Sequence, residues 1–201
     1  QLENVVLAAV CDTNSERAQA FAEKYHIPAV YTDVEKMLQN EKLDAVSVCT
    51  WNNGHASCSI AALKAGVNVL CEKPLAMNTK EALEIEKTAK EMNKLLMVGF
   101  VRRFGENTRV LKELIDQGEL GDIYYAKTGC VRRCGNPGGW FSDKKRSGGG
   151  PVIDLGVHII DLLRYLMGKP KTVAVLGSAF NKLGARSNVK GIDWYKASDY
   201  S

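Results

Sequence analysis

Asp154, His158 and Asp161 stand at i, i+4 and i+7 in a run whose other residues are almost all apolar, among them Val152, Ile153, Leu155, Val157 and Ile159. On an α-helix these spacings set two carboxylates and an imidazole along one stripe. Burying such groups in hydrocarbon is costly unless they are paired or face a cleft. The stripe therefore reads either as the wall of a ligand cleft or as a satisfied polar network. Metal ligation is a weaker reading: Asp and His at i, i+4 supply two ligands, and the other imidazoles, His26 and His55, are distant in the chain.

Three further groups fall where apolar runs end. Glu72-Lys73-Pro74 follows VNVLC. A lysine at a strand exit can set a positive charge and three donors beside a substrate, with Pro74 fixing the backbone that presents it; the alternative is an exposed lysine. Asp12 ends the run from Val5. A carboxylate there can accept hydrogen bonds from the ribose hydroxyls of a dinucleotide and repel a 2′-phosphate, or it can cap the helix that follows. Thr50-Trp51-Asn52-Asn53-Gly54-His55 leaves one apolar run and enters a helical one. Open α/β sheets bind ligands at such exits, although a polar loop and cap has the same composition.

The elements that must position these groups are legible as alternating periods. Val5 to Cys11, Asp44 to Thr50, Val67 to Cys71 and Leu95 to Phe100 are short apolar runs that read as strands. Between them lie amphipathic helices over 16–25, 56–65 and 79–93, with Thr13-Asn14-Ser15 and Thr79 as caps and Gly66 as a stop. Strands alternating with helices imply right-handed crossovers and a parallel sheet covered on both faces, a doubly wound α/β arrangement. After Arg102-Arg103 the pattern changes to a helix over 107–117, an alternating strand over 123–131, a glycine- and charge-rich loop over 134–150, the helix 152–167 and a strand over 172–176. This predicts a dinucleotide-type domain over 1–103 and an α+β domain over 104–201 with a mainly antiparallel sheet. The GxGxxG turn that accompanies an acid such as Asp12 is absent upstream. The sequence therefore reads as entering the first domain after its first strand, and GIDWYKASDYS as leading into a strand of the second.

Composition narrows the classes. With 45% hydrophobic and 25% charged residues in 201, the chain is neither disordered nor fibrous. No apolar run reaches the roughly 18 residues that span a bilayer, and the start has no signal-peptide pattern, so the reading is cytoplasmic and without a membrane partner. A net charge of +4 suits an anionic small ligand as well as a weak polyanion surface. The basic groups Arg102-Arg103, Arg132-Arg133 and Lys144-Lys145-Arg146 share no helix face and read as solvated surface, not as a nucleic-acid footprint. Six cysteines without a CxxC pair read as reduced structural thiols, and Cys130 with Cys134 lacks the second pair of a zinc site.

Taken together, Asp12, the Thr50 to His55 segment with Trp51 where a proline is usual, ALKAGVNVLCEKPLA, LLMVGFVRRF, ELIDQGELGDI and SGGGPVIDLGVHIIDLLRYLMG resemble the Gfo/Idh/MocA family of oxidoreductases. The resemblance implies a Rossmann-type fold and hydride transfer between a carbinol of a sugar, inositol or related polyol and a nicotinamide. It implies Lys73, Asp154 and His158 as the catalytic set. His158 would be the general base, a role that suits an imidazole near neutral pH; Lys73 would stabilise the alkoxide and Asp154 would fix the substrate. Asp12, Thr50, Trp51, Asn52, His55, Glu72 and Lys73 would hold the cofactor; Arg103, Trp140, Asp154 and His158 would meet the substrate. The absence of a basic residue directly after Asp12 favours NAD over NADP, with Arg17 about a turn away. No metal is implied, and a homo-oligomer through the C-terminal sheet is. A catalytically idle nucleotide- or sugar-binding regulatory member of the same family is the alternative.

Overall fold

The computed structural model describes residues 3–131 and 139–180. Arg132, Arg133, Cys134 and the 191–201 run lie outside them. The chain divides into two compact units, Gln1–Thr50 with Gly54–Val98, and Trp51–Asn53 with Gly99–Ser201.

The first unit alternates strand and helix: β1 (Ala9–Cys11), α1 (Ser15–Tyr25), β2 (Ala29–Tyr31), α2 (Val34–Asn40), β3 (Ala45–Val48), α3 (His55–Lys64), β4 (Asn68–Cys71), α4 (Thr79–Glu91) and β5 (Leu96–Val98). All pairings are parallel. β1 lies beside β2, and β4 lies between β3 and β5 with Val48 opposite Cys71 and Cys71 opposite Val98. This is the Rossmann-type α/β arrangement that the alternation predicts. Side chains alternate across a strand, so Val69 and Cys71 turn to the same face. They are buried there with Val48, Ala56, Ala62, Leu63, Val67, Ile85 and Ala89, where α3 packs on β3, β4 and α4. On the other face of this sheet Leu70 and Met97 remain 41% and 49% exposed among the described residues.

Helix starts follow side-chain acceptors. Asn14 accepts from the Arg17 N–H at 2.9 Å, and Asp33 accepts from Glu35 and Lys36. At α4 the cap is Asn78, one residue before the Thr79 that the sequence suggested. Asn78 accepts from the Glu81 N–H, and Glu81 returns a carboxylate to the Met77 N–H, so both orphan donors are satisfied. Gly66 ends α3 with φ +80, a conformation open to glycine at little cost. The expected first strand is shorter than 5–11, since Val5, Val6 and Leu7 have no ladder partner among the described residues. β2 and α2 have no counterpart in the sequence reading.

The second unit holds a helical turn Val101–Phe104, α5 (Glu106–Asp116), a turn Gly139–Ser142, the short α6 (Lys144–Ser147), a π-helical turn Val152–Gly156 and α7 (Val157–Leu166). Two expectations are corrected. Residues 123–131 and 172–176 form no strand among the described residues, because alternation supplies a face and a strand also needs a neighbour's backbone to pair with. The predicted helix 152–167 opens as a π-turn: the Val157 N–H reaches back five residues to the Val152 carbonyl, while Ile153 and Asp154 both donate to Gly150. Among the described residues no helix is long and apolar enough to cross a membrane.

Candidate active-site residues in two units

In the first unit the sequence-selected groups sit beyond the carboxyl ends of parallel strands. Asp12 follows β1 and its backbone N–H donates to the Tyr31 carbonyl of β2 at 3.1 Å, which fixes the exit of the chain. Its Oδ1 accepts from the Asn14 N–H at 2.8 Å, while the Arg17 Nη1 stands 3.6 Å from Oδ2. The carboxylate thus combines the turn-forming role with a position open to a ligand, and a guanidinium stands next to it.

Thr50 leaves β3. A Cβ added to Gly54 would come within 2.7 Å of the Thr50 Oγ1, so only glycine lets the loop close onto this hydroxyl. Sequence reasoning missed Gly54, for which a close approach between residues four apart is the signal. His55 opens α3 and is fully buried. Its Nδ1 lies 2.6 Å from the Pro74 carbonyl and its Nε2 3.0 Å from the Thr50 carbonyl. The ring therefore ties the exit of β3 to the segment after β4. Glu72 continues from β4, its N–H bonded to the Val48 carbonyl, and its Oε2 accepts from the Lys73 N–H at 3.1 Å. Lys73 precedes a cis Lys73-Pro74 bond. Glu72 holds the turn and Lys73 is the half-buried cation it presents.

The thiols near these exits are passive. Burial pushes Cys71 up to about 11, with the Ser59 hydroxyl opposing, and burial likewise raises Cys11 and Cys58. Protonated thiols of this kind are poor nucleophiles. The five described cysteines are free, and no group of three metal-ligating side chains exists among the described residues.

In the second unit, Asn52 is buried and its Nδ2 donates to the Ser147 carbonyl at 2.7 Å, which joins the Trp51–Asn53 segment to α6. The Arg146 guanidinium lies 3.9 Å over the Trp51 ring. Trp140 stacks on Phe141 at 4.0 Å in the turn preceding α6. Arg103 makes a two-pronged bond to Asp161, Nε to Oδ2 at 2.7 Å and Nη2 to Oδ1, between the rings of Phe100 and Tyr165. Of the expected stripe, Asp161 is therefore a partner for Arg103, and only the Nη1 side of Arg103 is left to meet a substrate.

Asp154 lies in the π-turn and His158 in the first turn of α7, both half-buried. The wider π-turn displaces Asp154 from the regular i, i+4 position. Such turns recur where a helix must carry reactive groups at unusual angles. The Nδ1 of His158 is shut off from solvent.

A family model described as the oxidoreductase family with a NAD-binding Rossmann fold matches residues 1–100, and the model of the GFO/IDH/MocA C-terminal domain matches 108–195. D-glucoside 3-dehydrogenase of Escherichia coli K12 is 40% identical over 196 residues, 97% of this chain and 56% of that protein. Myo-inositol 2-dehydrogenase of Thermotoga maritima is 30% identical over 168 residues, 84% of this chain and 49% of that protein. The structure of levoglucosan dehydrogenase in complex with NADH superposes with a TM-score of 0.72 at 28% identity, covering 81% of this chain and 45% of the other. The chain spans about half the length of the relatives it matches.

Proposed function

Because the chain belongs to the Gfo/Idh/MocA oxidoreductases, with a NAD-binding Rossmann domain, we propose that it is the catalytic-residue-bearing part of a NAD-dependent dehydrogenase acting on a secondary hydroxyl of a sugar or cyclitol. The observation that carries the reading is that Asp12, Thr50 and Lys73 all leave the carboxyl ends of parallel strands β1, β3 and β4, the edge at which open α/β sheets take their ligands. A carboxylate, a hydroxyl and an ammonium there match the hydroxyl-rich and phosphate-bearing parts of a dinucleotide.

In this assignment Asp12 holds the adenosine ribose, and Thr50, Trp51 and Glu72 shape the cofactor side. Asn52 and His55 act by bonding neighbouring backbone. The nicotinamide, when bound, supplies the acceptor for the hydride that leaves the carbinol carbon. His158 takes the hydroxyl proton on Nε2, so that one C–H and one O–H bond of the alcohol give a carbonyl. Lys73 stabilises the oxygen as negative charge develops on it, and Asp154 holds the substrate by hydrogen bonds to its hydroxyls. Arg103 positions α7 through Asp161 and contributes at most its Nη1 edge to a substrate, while Trp140 offers an aromatic wall. NAD is favoured over NADP by the Asp12 carboxylate, with Arg17 tempering the preference. D-Glucosides and inositols are the first substrates to try, since the similar proteins are named for them. Two copies would join through the C-terminal sheet.

The test is NAD reduction by the intact protein over a panel of glucosides and inositols. Turnover of one of them, lowered about 10²–10⁴-fold in a folded His158→Ala variant, is expected. Unchanged turnover in that variant or in Lys73→Ala would overturn the roles, and NADH binding without turnover on any substrate would select the idle, regulatory reading.

A further inference from the structure

Trp51 follows Thr50 beyond the end of β3, and the structure gives it a partner. The Arg146 guanidinium lies 3.9 Å over the indole ring, and its Nε is 3.4 Å from the Asp143 Oδ2. At that distance the guanidinium carbon is in contact with the ring face. Asp143 takes one edge. It is itself fixed, accepting from the Lys145 N–H as the cap of α6 and donating its own N–H to the Trp140 carbonyl. The fork of Nη1 and Nη2 has no hydrogen-bond partner among the described residues, and the Arg146 side chain is 38% exposed. The buried Asn52 to Ser147 bond holds the next residue of each segment together, so the stack cannot drift.

A long cation is thus held rigid on two sides with its donor fork left open. The Trp140 and Phe141 rings lie in the turn packed against the same short helix. A flat donor fork near aromatic surface suits a ring that carries adjacent hydroxyls. Asp143 offsets the cation, which favours a neutral pair of oxygens over a carboxylate. We propose that Arg146, held by Trp51 and Asp143, is a specificity-determining residue that binds a vicinal pair of hydroxyls on the neutral sugar. This rests on the dehydrogenase reading for its substrate class, and gives Trp51 a positioning role in place of a direct ligand contact.

The test is equilibrium binding of methyl β-D-glucopyranoside and its monodeoxy analogues to the intact protein saturated with NADH. Arg146→Lys keeps a cation over the indole but loses the fork. It is expected to weaken the parent glucoside about tenfold, the size of one or two lost charge-assisted hydrogen bonds, with an unchanged melting temperature. The analogues lacking either hydroxyl of the bound pair should be insensitive to the substitution. Trp51→Phe, which holds the guanidinium less well, should reproduce the pattern more weakly. Equal weakening of every analogue, no weakening of any, no binding of the parent glucoside, or tighter binding of the corresponding glucuronide would overturn the assignment. Binding with the expected pattern but no NAD reduction would instead remove the dehydrogenase reading and leave the Arg146 site standing.

Discussion

The two units are held by different physics. Every fully buried apolar side chain among the described residues belongs to the first unit, from Ala18 and Ala22 of α1 to Ile85 and Ala89 of α4. The buried side chains of the second are polar: Asn52, Thr108 and Ser147. Thr108 donates to the Arg102 carbonyl, Asn52 to Ser147, and Arg103 is forked onto Asp161 between two rings. Hydrocarbon burial is strong and non-directional, whereas hydrogen bonds and ion pairs contribute less but fix angles. A cofactor platform needs a stiff sheet, and a substrate site needs a few groups held at fixed angles. On the proposed function, each unit has contacts that would suit its task.

The contrast is broken most directly by truncation. Leu63 is fully buried in the cluster beneath β4, so Leu63→Ala is expected to cost about 3 kcal/mol through lost transfer energy and a residual cavity. The same change at Leu111 of α5, 38% exposed, is expected to cost about 1 kcal/mol or less. Urea unfolding of both variants gives the comparison, and equal costs would abolish the distinction between the units.

An alkaline titration probes the same core without creating a cavity. Cys71 is held as a thiol up to about 11, against 9.0 when unfolded, chiefly by burial. Between those values the unfolded chain releases a proton that the folded chain retains. The contribution is fully present below pH 9 and is lost as pH rises through 11, reaching about 2 kcal/mol. Unfolding free energies at pH 8 and 11 should show this loss in the parent protein and not in Cys71→Ala. A parallel loss in both would assign it to other groups.

The same division governs what the sequence discloses. The strands β3 and β4 are legible in AVSV and NVLC because burial writes itself as apolar runs. The exit positions of Thr50 and Lys73 follow from where those runs stop. α2 escapes because it buries only Met37, too little to set a period. Directional contacts leave no local trace: Asn52 meets a carbonyl 95 residues on, Arg103 a carboxylate 58 residues on, and His55 a carbonyl 19 residues on. Thus Asn52, His55 and Arg103 read as ligand contacts in the sequence, while the structure gives the Asn52 Nδ2, both His55 ring nitrogens and the Arg103 Nε and Nη2 partners within the chain. The π-turn under Asp154 is equally silent, since a single extra residue in a turn changes no periodicity that a short helix can display.

The smallest effect belongs to the contact that most directly supports α7. Arg103 and Asp161 have side chains 29% and 11% exposed, so solvent screens them in part, and Asp161→Asn is expected to cost about 1–2 kcal/mol. The neutral amide keeps the shape of the carboxylate and loses its charge. The parent's advantage over the variant should therefore shrink as salt rises from 0.05 to about 1 M, where the screening length falls to roughly 3 Å. Leu63→Ala should show no such narrowing. Because Asp161 lies one turn beyond His158, amide hydrogen exchange in the variant should quicken through α7 and leave α3 and α4 as they were. Exchange that quickens equally in α3 would mean that the two units share one cooperative core, and the division between hydrocarbon platform and polar site would fall with it.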